Sequence, residues 1–484
     1  MKEDLLALAP ELALLAAAVA GLLIGSWLPR RRQWIVAALA AAACVTGIGA
    51  AAGAPGRART VFSGTFAVDT ATAAGRLIVL LALLLVCGMS ATRMRRDRRE
   101  AEYYVLLLLT GAGTLAMIGA ADLLMLFAGY LLASVPAYAL AGFAKDDAGT
   151  EAALKYYLMG ALLGTVMLAG VAALYGAGHA TLYAGLRAGL PAAPHALVAA
   201  GLVAVLAGVL FKAGAVPAHF WVPDVAEGAT APIAAYVTTL PKIGALIAAH
   251  RFLHQALPSG VDWPLLIAVL AAASMTLGNL AAFFQASVTR LLAYSAISQV
   301  GYLLMAVAVA TRSELARPAL LFYLAAYALT NLGAFAVVAE LPRARVIDDY
   351  RGLARRRPGL AAVLVVCLLG LVGTPPTGVF LGKLGVFSAA MDGGYAWLAV
   401  LAVVNTVASL FYYLRWLTPL FRPAPSPVAE PPHAGRRSWP AVVAYVAGAL
   451  SLALGVVGGA VLPFLQEVPK GQRLSLTCPD AKFQ

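Results

Sequence analysis

Three lysines stand in surroundings that should not tolerate a cation. The stretch FKAGAVPAHFWVPD, Phe211 to Asp224, brings Lys212 and His219 in at the end of a run of apolar or small residues; TTLPKIGALIAAH carries Lys242 at its middle; GTPPTGVFLGK ends on Lys383. A lysine at the centre of a membrane helix costs roughly 2.5 to 3.5 kcal/mol, so several retained cations need a reason. The prolines beside them supply a physical logic. Pro217, Pro375 and Pro376 remove backbone donors and clash with the preceding turn, and the carbonyls so freed must be met by protein or water. Withdrawal from water favours the neutral amine over the ammonium, and a lysine beside hydrated, broken backbone can then gain and lose a proton under modest electrostatic control. That is a proton-relay site.

His219 follows Lys212 by two turns if the helix resumes. Its imidazole can pass a proton through two nitrogens or simply be a hydrogen-bonded packing residue. Lys155 lies only a few residues into its apolar run, where it either belongs to the same relay or snorkels to the interface. Tyr236, Thr238, Thr239, Tyr294, Ser295, Ser298, Gln299, Tyr302, Tyr327, Thr330 and Asn331 could hold a file of water between lysines. Each could equally be an interhelical hydrogen bond worth about a kilocalorie.

Other chemistries find no support in the residues. There is no phosphate-cradling loop of the Walker type, no dinucleotide fingerprint after a strand, no paired cysteines for an iron–sulfur cluster and no HExxH. His179, His195, His250 and His254 fall at the ends of apolar runs, a poor arrangement for a haem pair. The cysteines Cys44, Cys87, Cys367 and Cys478 are far apart and have neither metal-ligand spacing nor a disulfide framework. The chain is expected to hold no cofactor and no metal of its own.

The elements that must position the lysines are membrane helices. The chain is 62% hydrophobic and only 12% charged, about half the charge of a soluble domain. Its net charge of +13 comes largely from arginine clusters that bracket apolar segments. Such clusters read as topology signals, and no soluble basic domain exists to bind nucleic acid. The apolar runs are continuous without period-two alternation, so helices and not a barrel are indicated. Windows of about twenty residues give fourteen spans beginning near residues 5, 34, 74, 101, 121, 152, 195, 231, 263, 291, 318, 358, 395 and 438. Met1 to Asp4 lack the basic flank of a secretory signal, so the first apolar run is expected to be a retained span.

Loops after the odd-numbered spans 1, 3, 5, 9, 11 and 13 hold Arg30 to Arg32, five arginines from Arg93 to Arg99, Lys145, Arg290, six from Arg343 to Arg357, and Arg422, Arg436 and Arg437; the opposite side holds only Arg57, Arg59, Arg187, Arg251, Arg312 and Arg317. The positive-inside rule puts both termini outside the cytoplasm. Spans 4 to 8 and 9 to 13 read as two copies of one five-helix unit, each interrupted in its fourth helix. An odd count inverts the second copy relative to the first, as in many transporters. The expected organisation is an all-α membrane bundle with helices 1–3 at 1–100, a first repeat at 101–252, a second, inverted repeat at 263–421, broken helices 7 and 12, and a last helix and tail at 438–484.

Taken together, FKAGAVPAHFWVPDVAEGATAPIAAYVTTLPKIGAL, LLAYSAISQVGYLL and GTPPTGVFLGKLGVF resemble the antiporter-like subunit N family of NADH-quinone oxidoreductase, respiratory complex I. The resemblance runs from about Asp122 to Trp416, and Pro10 and Glu11 are similar to that family's start. It implies that Lys212 is the central lysine of the broken seventh helix, Lys242 that of the eighth, Lys383 the terminal lysine of the broken twelfth and Lys155 the lysine early in the sixth, with His219 after the seventh helix's break. It implies a proton-translocating subunit of a translocase in a bacterial-type plasma membrane. NADH, FMN, iron–sulfur clusters and quinone are then expected in other membrane and peripheral subunits. One position departs from the pattern: where the family usually carries a glutamate, in LFAGYLLASVP, this chain has Leu131, and Asp122, Asp146 and Asp147 all lie outside that span. A lysine without a neighbouring carboxylate loses the partner that would alternately hold and release it. A subunit of a multisubunit cation/proton antiporter, and a structural membrane subunit that no longer pumps, remain as alternatives.

Overall fold

The computed structural model describes residues 2–53, 58–95, 97–258, 261–423 and 438–465; Arg57, Arg96, Arg436, Arg437, Cys478 and the tail after residue 465 lie outside them. Thirteen helices are long and apolar enough to cross a membrane, and a further span is built from two shorter helices. In chain order the spans are 1, Ala9–Trp27; 2, Trp34–Ala52; 3, Thr70–Met94; 4, Glu100–Gly119; 5, Leu123–Ala141; 6, Asp147–Gly178; 7, His195–Ala213 followed by the short Trp221–Gly228; 8, Ala231–Gln255; 9, Trp263–Phe283; 10, Val288–Ala308; 11, Ala316–Glu340; 12, Pro358–Val372 followed by Gly378–Asp392; 13, Ala396–Phe421; and 14, Trp439–Val461. A small antiparallel hairpin, Arg59–Val61 with Phe66–Val68, joins spans 2 and 3. Spans 8, 10 and 11 are almost wholly enclosed by protein, whereas spans 1, 2, 6 and 14 present most of their surface outward. The core is thus a ring of helices around three central ones.

Spans 7 and 12 break in the same way, and glycine sets the place. Span 7 ends on Ala213 with Gly214 at φ +72°, and span 12 pauses at Val372 with Gly373 at φ +93°. In both, the second residue past the end reaches back over the last turn: Ala215 N–H donates to Leu210 O at 3.0 Å and Thr374 N–H to Leu369 O at 3.1 Å. This is the Schellman closure, which needs the left-handed conformation that glycine adopts without penalty. The prolines lie two or three residues further on and keep the helix from resuming at once. Proline alone does not interrupt a span here, because Pro136 and Pro241 are accommodated inside continuous helices.

Two buried ion pairs tie span 3 to its neighbours, one to span 1 and one to span 8. Arg76 of span 3 donates to both carboxylate oxygens of Glu11 in span 1, at 2.8 and 2.9 Å, and to Ala7 O at 2.9 Å. Arg251, counted above among the loop charges, is instead part of span 8 and 3% exposed. It grips Asp69, the residue that caps span 3, at 2.6 and 2.8 Å, and also binds Thr72 and Ile118 O. Fork-to-carboxylate geometry of this kind satisfies most donors of a guanidinium where little water reaches it.

Candidate functional site

Lys212 occupies the last turn of the first half of span 7 and is fully buried. Its ammonium donates to Ala133 O at 2.8 Å and Ser134 Oγ at 2.9 Å, both on span 5, and lies 5.9 Å from the ring centre of Tyr130. Every contact is with a neutral group. Leu131 is 42% exposed and lies on the outward side of span 5, so the residue at the departing position does not replace the carboxylate at Lys212. Ser134, three residues on and fully buried, is what touches the amine.

Lys242 and Lys383 each make a contact that their sequence context does not disclose. Lys242 Nζ donates to Ala213 O at 2.8 Å, and Lys383 Nζ donates to Val372 O at 2.8 Å. Each acceptor is the final residue of a half-helix that stops at a left-handed glycine. The end of a helix carries unpaired carbonyls and the negative pole of its dipole, and a cation there is favourable. Lys383 additionally has Thr406 Oγ1 at 3.4 Å and the Tyr302 ring at 4.2 Å. The two broken spans therefore end, in their separate halves of the chain, on the same device.

Between the two lysines the central helices place two buried hydrogen-bonded clusters, a helical turn apart. One turn before Lys242, Thr238 and Thr239 accept from Asn331 Nδ2 at 3.1 and 2.8 Å, and Tyr327 donates its hydroxyl to Thr238 O at 2.7 Å. Pro241, which has no N–H for Val237, loosens the helix at this point. One turn from Tyr327, Tyr323 donates to Gln299 Oε1, and Gln299 Nε2 donates at 2.8 Å to Leu371 O, the carbonyl beside the one Lys383 holds. A branch lies behind it, where Asn279 accepts from Ser298 at 3.1 Å and Tyr412 at 3.0 Å and donates to Asn405.

The structure thus brings Lys212, Lys242 and Lys383 onto one axis together with Thr238, Thr239, Tyr327, Asn331, Gln299 and Tyr302. Other polar residues of the central spans pair locally: Ser295 with Tyr413, and Thr330 with Ser451. Tyr294 is half-buried, and Tyr236 is buried with a hydroxyl that has no partner among the described residues. Ser134, Tyr323, Asn405 and Thr406 were not picked out from the sequence. The asparagine in AVVNTVAS, the middle of an apolar run, was the available signal. His219 lies in the linker between the halves of span 7, 4% exposed, with its ring 4.3 Å from that of Phe220 and Nδ1 unpartnered among the described residues. Lys155 is separate from the axis. Its side chain is 45% exposed and pairs with Glu151 at 2.7 Å and Asp224 at 2.8 Å, and Asp224 is shared with Arg290, which reaches Glu227 at 3.0 Å. Among the described residues no cluster of three or more histidines, cysteines or carboxylates could hold a metal ion.

Comparison with known proteins gives this geometry a family. Residues 120–409 match the family model described as NADH:quinone oxidoreductase/Mrp antiporter, TM. NADH-quinone oxidoreductase subunit N 1 of Streptomyces griseus subsp. griseus is 57% identical over 465 residues, covering 96% of this chain and 98% of that protein. This chain belongs to the subunit N family of NADH-quinone oxidoreductase. Subunit N of Mycobacterium sp. (strain JLS) is 53% identical, covering 94% of this chain and 97% of that one. Among solved structures, a chain of respiratory complex I from Thermus thermophilus with bound aureothin is 32% identical at a TM-score of 0.80, over 94% of this chain and 98% of that one. A chain of the Mrp complex from Dietzia sp. DQ12-45-1b superposes with a TM-score of 0.81 at 22% identity, covering 96% of each chain. The last likeness is one of fold alone. Subunit N membership makes this a multi-pass, antiporter-like membrane subunit and sets it apart from the cation/proton antiporters that share its architecture.

Proposed function

We propose that this chain moves protons across the membrane through the axis Lys212, Lys242, Lys383 while electron transfer runs in partner subunits that hold NADH, FMN, iron–sulfur clusters and quinone. The carrying observation is the series of buried polar groups from the Ala213 end of span 7 to the Val372 end of span 12, two hydrogen-bonded clusters a helical turn apart with an ammonium at each end. Hydroxyls, an asparagine and a glutamine between the lysines can each give one hydrogen bond and take another, as a relay requires. Lys212 is held by neutral acceptors alone, so the field that loads and unloads it comes from Lys242 and from outside this chain. His219 receives or releases the proton at the break, and Lys155 acts from the surface through Asp224 instead of carrying the proton itself. We further infer that residues 101–252 and 263–421 are the two inverted units and that both termini lie outside the cytoplasm.

The test is Lys212→Ala in the assembled complex, in inverted membrane vesicles given NADH. The expected result is loss of proton pumping with electron transfer also slowed. Pumping that persists unchanged would leave this chain a structural role only, and sodium-sensitive transport with no redox link would place it among the antiporters.

A further inference from the structure

We propose that the outward face of span 9, on the arginine-rich side of the bundle, binds one anionic phospholipid, with its phosphate at Arg415 and Arg422 and an acyl chain along a stripe ending at Phe284. Two open depressions meet there. The first, of about 560 Å³, is lined by Phe284, Val346, Asp348, Arg415 and Arg422 among others. The second, of about 470 Å³, is bounded by Ala273, Thr276, Leu277, Leu280, Ala281 and Phe284. Phe284, 86% exposed, belongs to both.

The chemistry at the two ends differs as the two ends of a lipid do. Arg415 spends two of its donors on Phe283 O and Gln285 O, the free carbonyls where span 9 ends, and a guanidinium has five. Arg422 is exposed, and its side chain has no partner among the described residues. Asp348, the acid lining this depression, is already neutralised by Arg351 at 3.0 Å. The upper depression therefore offers net positive charge at the level where headgroups lie, and two guanidinium forks suit a phosphate. Below it the lining is a helical stripe, its members three or four residues apart, with one hydroxyl and otherwise only carbon side chains. From Ala273 to Phe284 the stripe rises about 16 Å at about 1.5 Å per residue, close to half of the roughly 30 Å hydrocarbon core. A single acyl chain in one leaflet has that length, and no soluble anion uses the lower depression.

The test is native mass spectrometry of the full chain from mild detergent, titrated with phosphatidylglycerol or phosphatidylcholine. One phosphatidylglycerol should be retained at about thirty-fold lower concentration than phosphatidylcholine, the increment expected for two arginines near an anionic headgroup. Arg422→Glu, a change at an exposed side chain that should not disturb folding, should bring the two lipids to parity. Leu280→Trp, which fills the stripe with another apolar group, should weaken retention of both. Absence of a phosphatidylglycerol preference in the unaltered chain overturns the proposal, as does a preference that survives Arg422→Glu. Sensitivity to Arg422→Glu without sensitivity to Leu280→Trp identifies a phosphate site with no place for a chain, and also overturns it.

Discussion

Lys242 donates its ammonium to the carbonyl of Ala213 at 2.8 Å, and Ala213 is the residue that follows Lys212. The middle lysine of the axis is thereby tied to the helix end that carries the first. An ideal Cβ placed on Gly214 would lie 3.0 Å from that same ammonium and 2.7 Å from Val222, so the break, the lysine and the short second half of span 7 form one packed unit.

Lys242→Met keeps the length of the side chain and removes its charge. It should abolish pumping and also lower the thermal midpoint of the solubilised chain, because the Ala213 carbonyl is left buried without a donor, a loss of about 1–3 kcal/mol. Proton uptake and thermal unfolding of the same preparation check both. A midpoint unchanged from the parent would mean that the amine contributes nothing as a cap.

Ser134→Asp introduces, at the atom that touches Lys212, the carboxylate that position 131 does not supply. A carboxylate at contact holds the ammonium by about 1.4 kcal/mol more than a hydroxyl does, a factor of about ten. Pumping should slow by a similar factor, while Ser134→Ala should change it by less than about threefold, the loss of one neutral hydrogen bond. Equal effects from both substitutions would show that the hydroxyl, and not the charge state of Lys212, sets the rate.

Glu11→Gln strands Arg76 among apolar side chains, where it is 2% exposed. Breaking a buried pair from one side costs about 3–5 kcal/mol, whereas replacing both partners by apolar groups is far milder. The double variant Glu11→Leu, Arg76→Leu should therefore be more stable than Glu11→Gln alone in thermal unfolding. If instead the two losses add, the pair is not acting as a buried unit.

Asp69 gives a pH dependence with a definite sign. Burial alone would raise its carboxyl, but the hydrogen bonds and charge of Arg251, with further bonds from Thr72, hold it well below the usual carboxylate range. Such a group contributes stability in full above its unfolded value of about 3.9 and loses it as pH falls from there toward the folded value. The thermal midpoint should be flat from about pH 7 to 5 and drop below about pH 4. Asp69→Asn should start lower and show a shallower drop. Parallel curves for the two proteins would assign the acid transition to other carboxylates.

Much of the architecture was legible because the bilayer imposes it. A continuous apolar run such as VLVVCLLGLV leaves few alternatives to a helix, and the expected span starts fall within a few residues of the observed ones. The breaks at spans 7 and 12 are also visible in their glycines and prolines, but composition does not reveal which residue of FKAGAVP takes the positive φ, and it is Gly214, as it is Gly373 in span 12, that does the turning. The lysines of the axis stood out because charge is scarce, whereas Arg76 escaped notice within TATAAGRLIV, although its cost in that run is as high. What sequence could not give was partnership. That Lys242 faces Ala213, that Asn331 bridges to Thr238, and that Lys155 belongs to a surface cluster with Asp224 all depend on how separate helices pack, and no local pattern encodes it.

Cations that double as helix caps cannot be discharged silently. Under the proposed relay, an amine of Lys242 or Lys383 that gave up its proton would leave the negative pole of a half-helix without its counterweight, with a left-handed glycine immediately behind it. Charge and backbone shape are then a single variable at both interruptions, and a vibrational probe on the Ala213 or Val372 carbonyl would read the occupancy of the neighbouring amine directly.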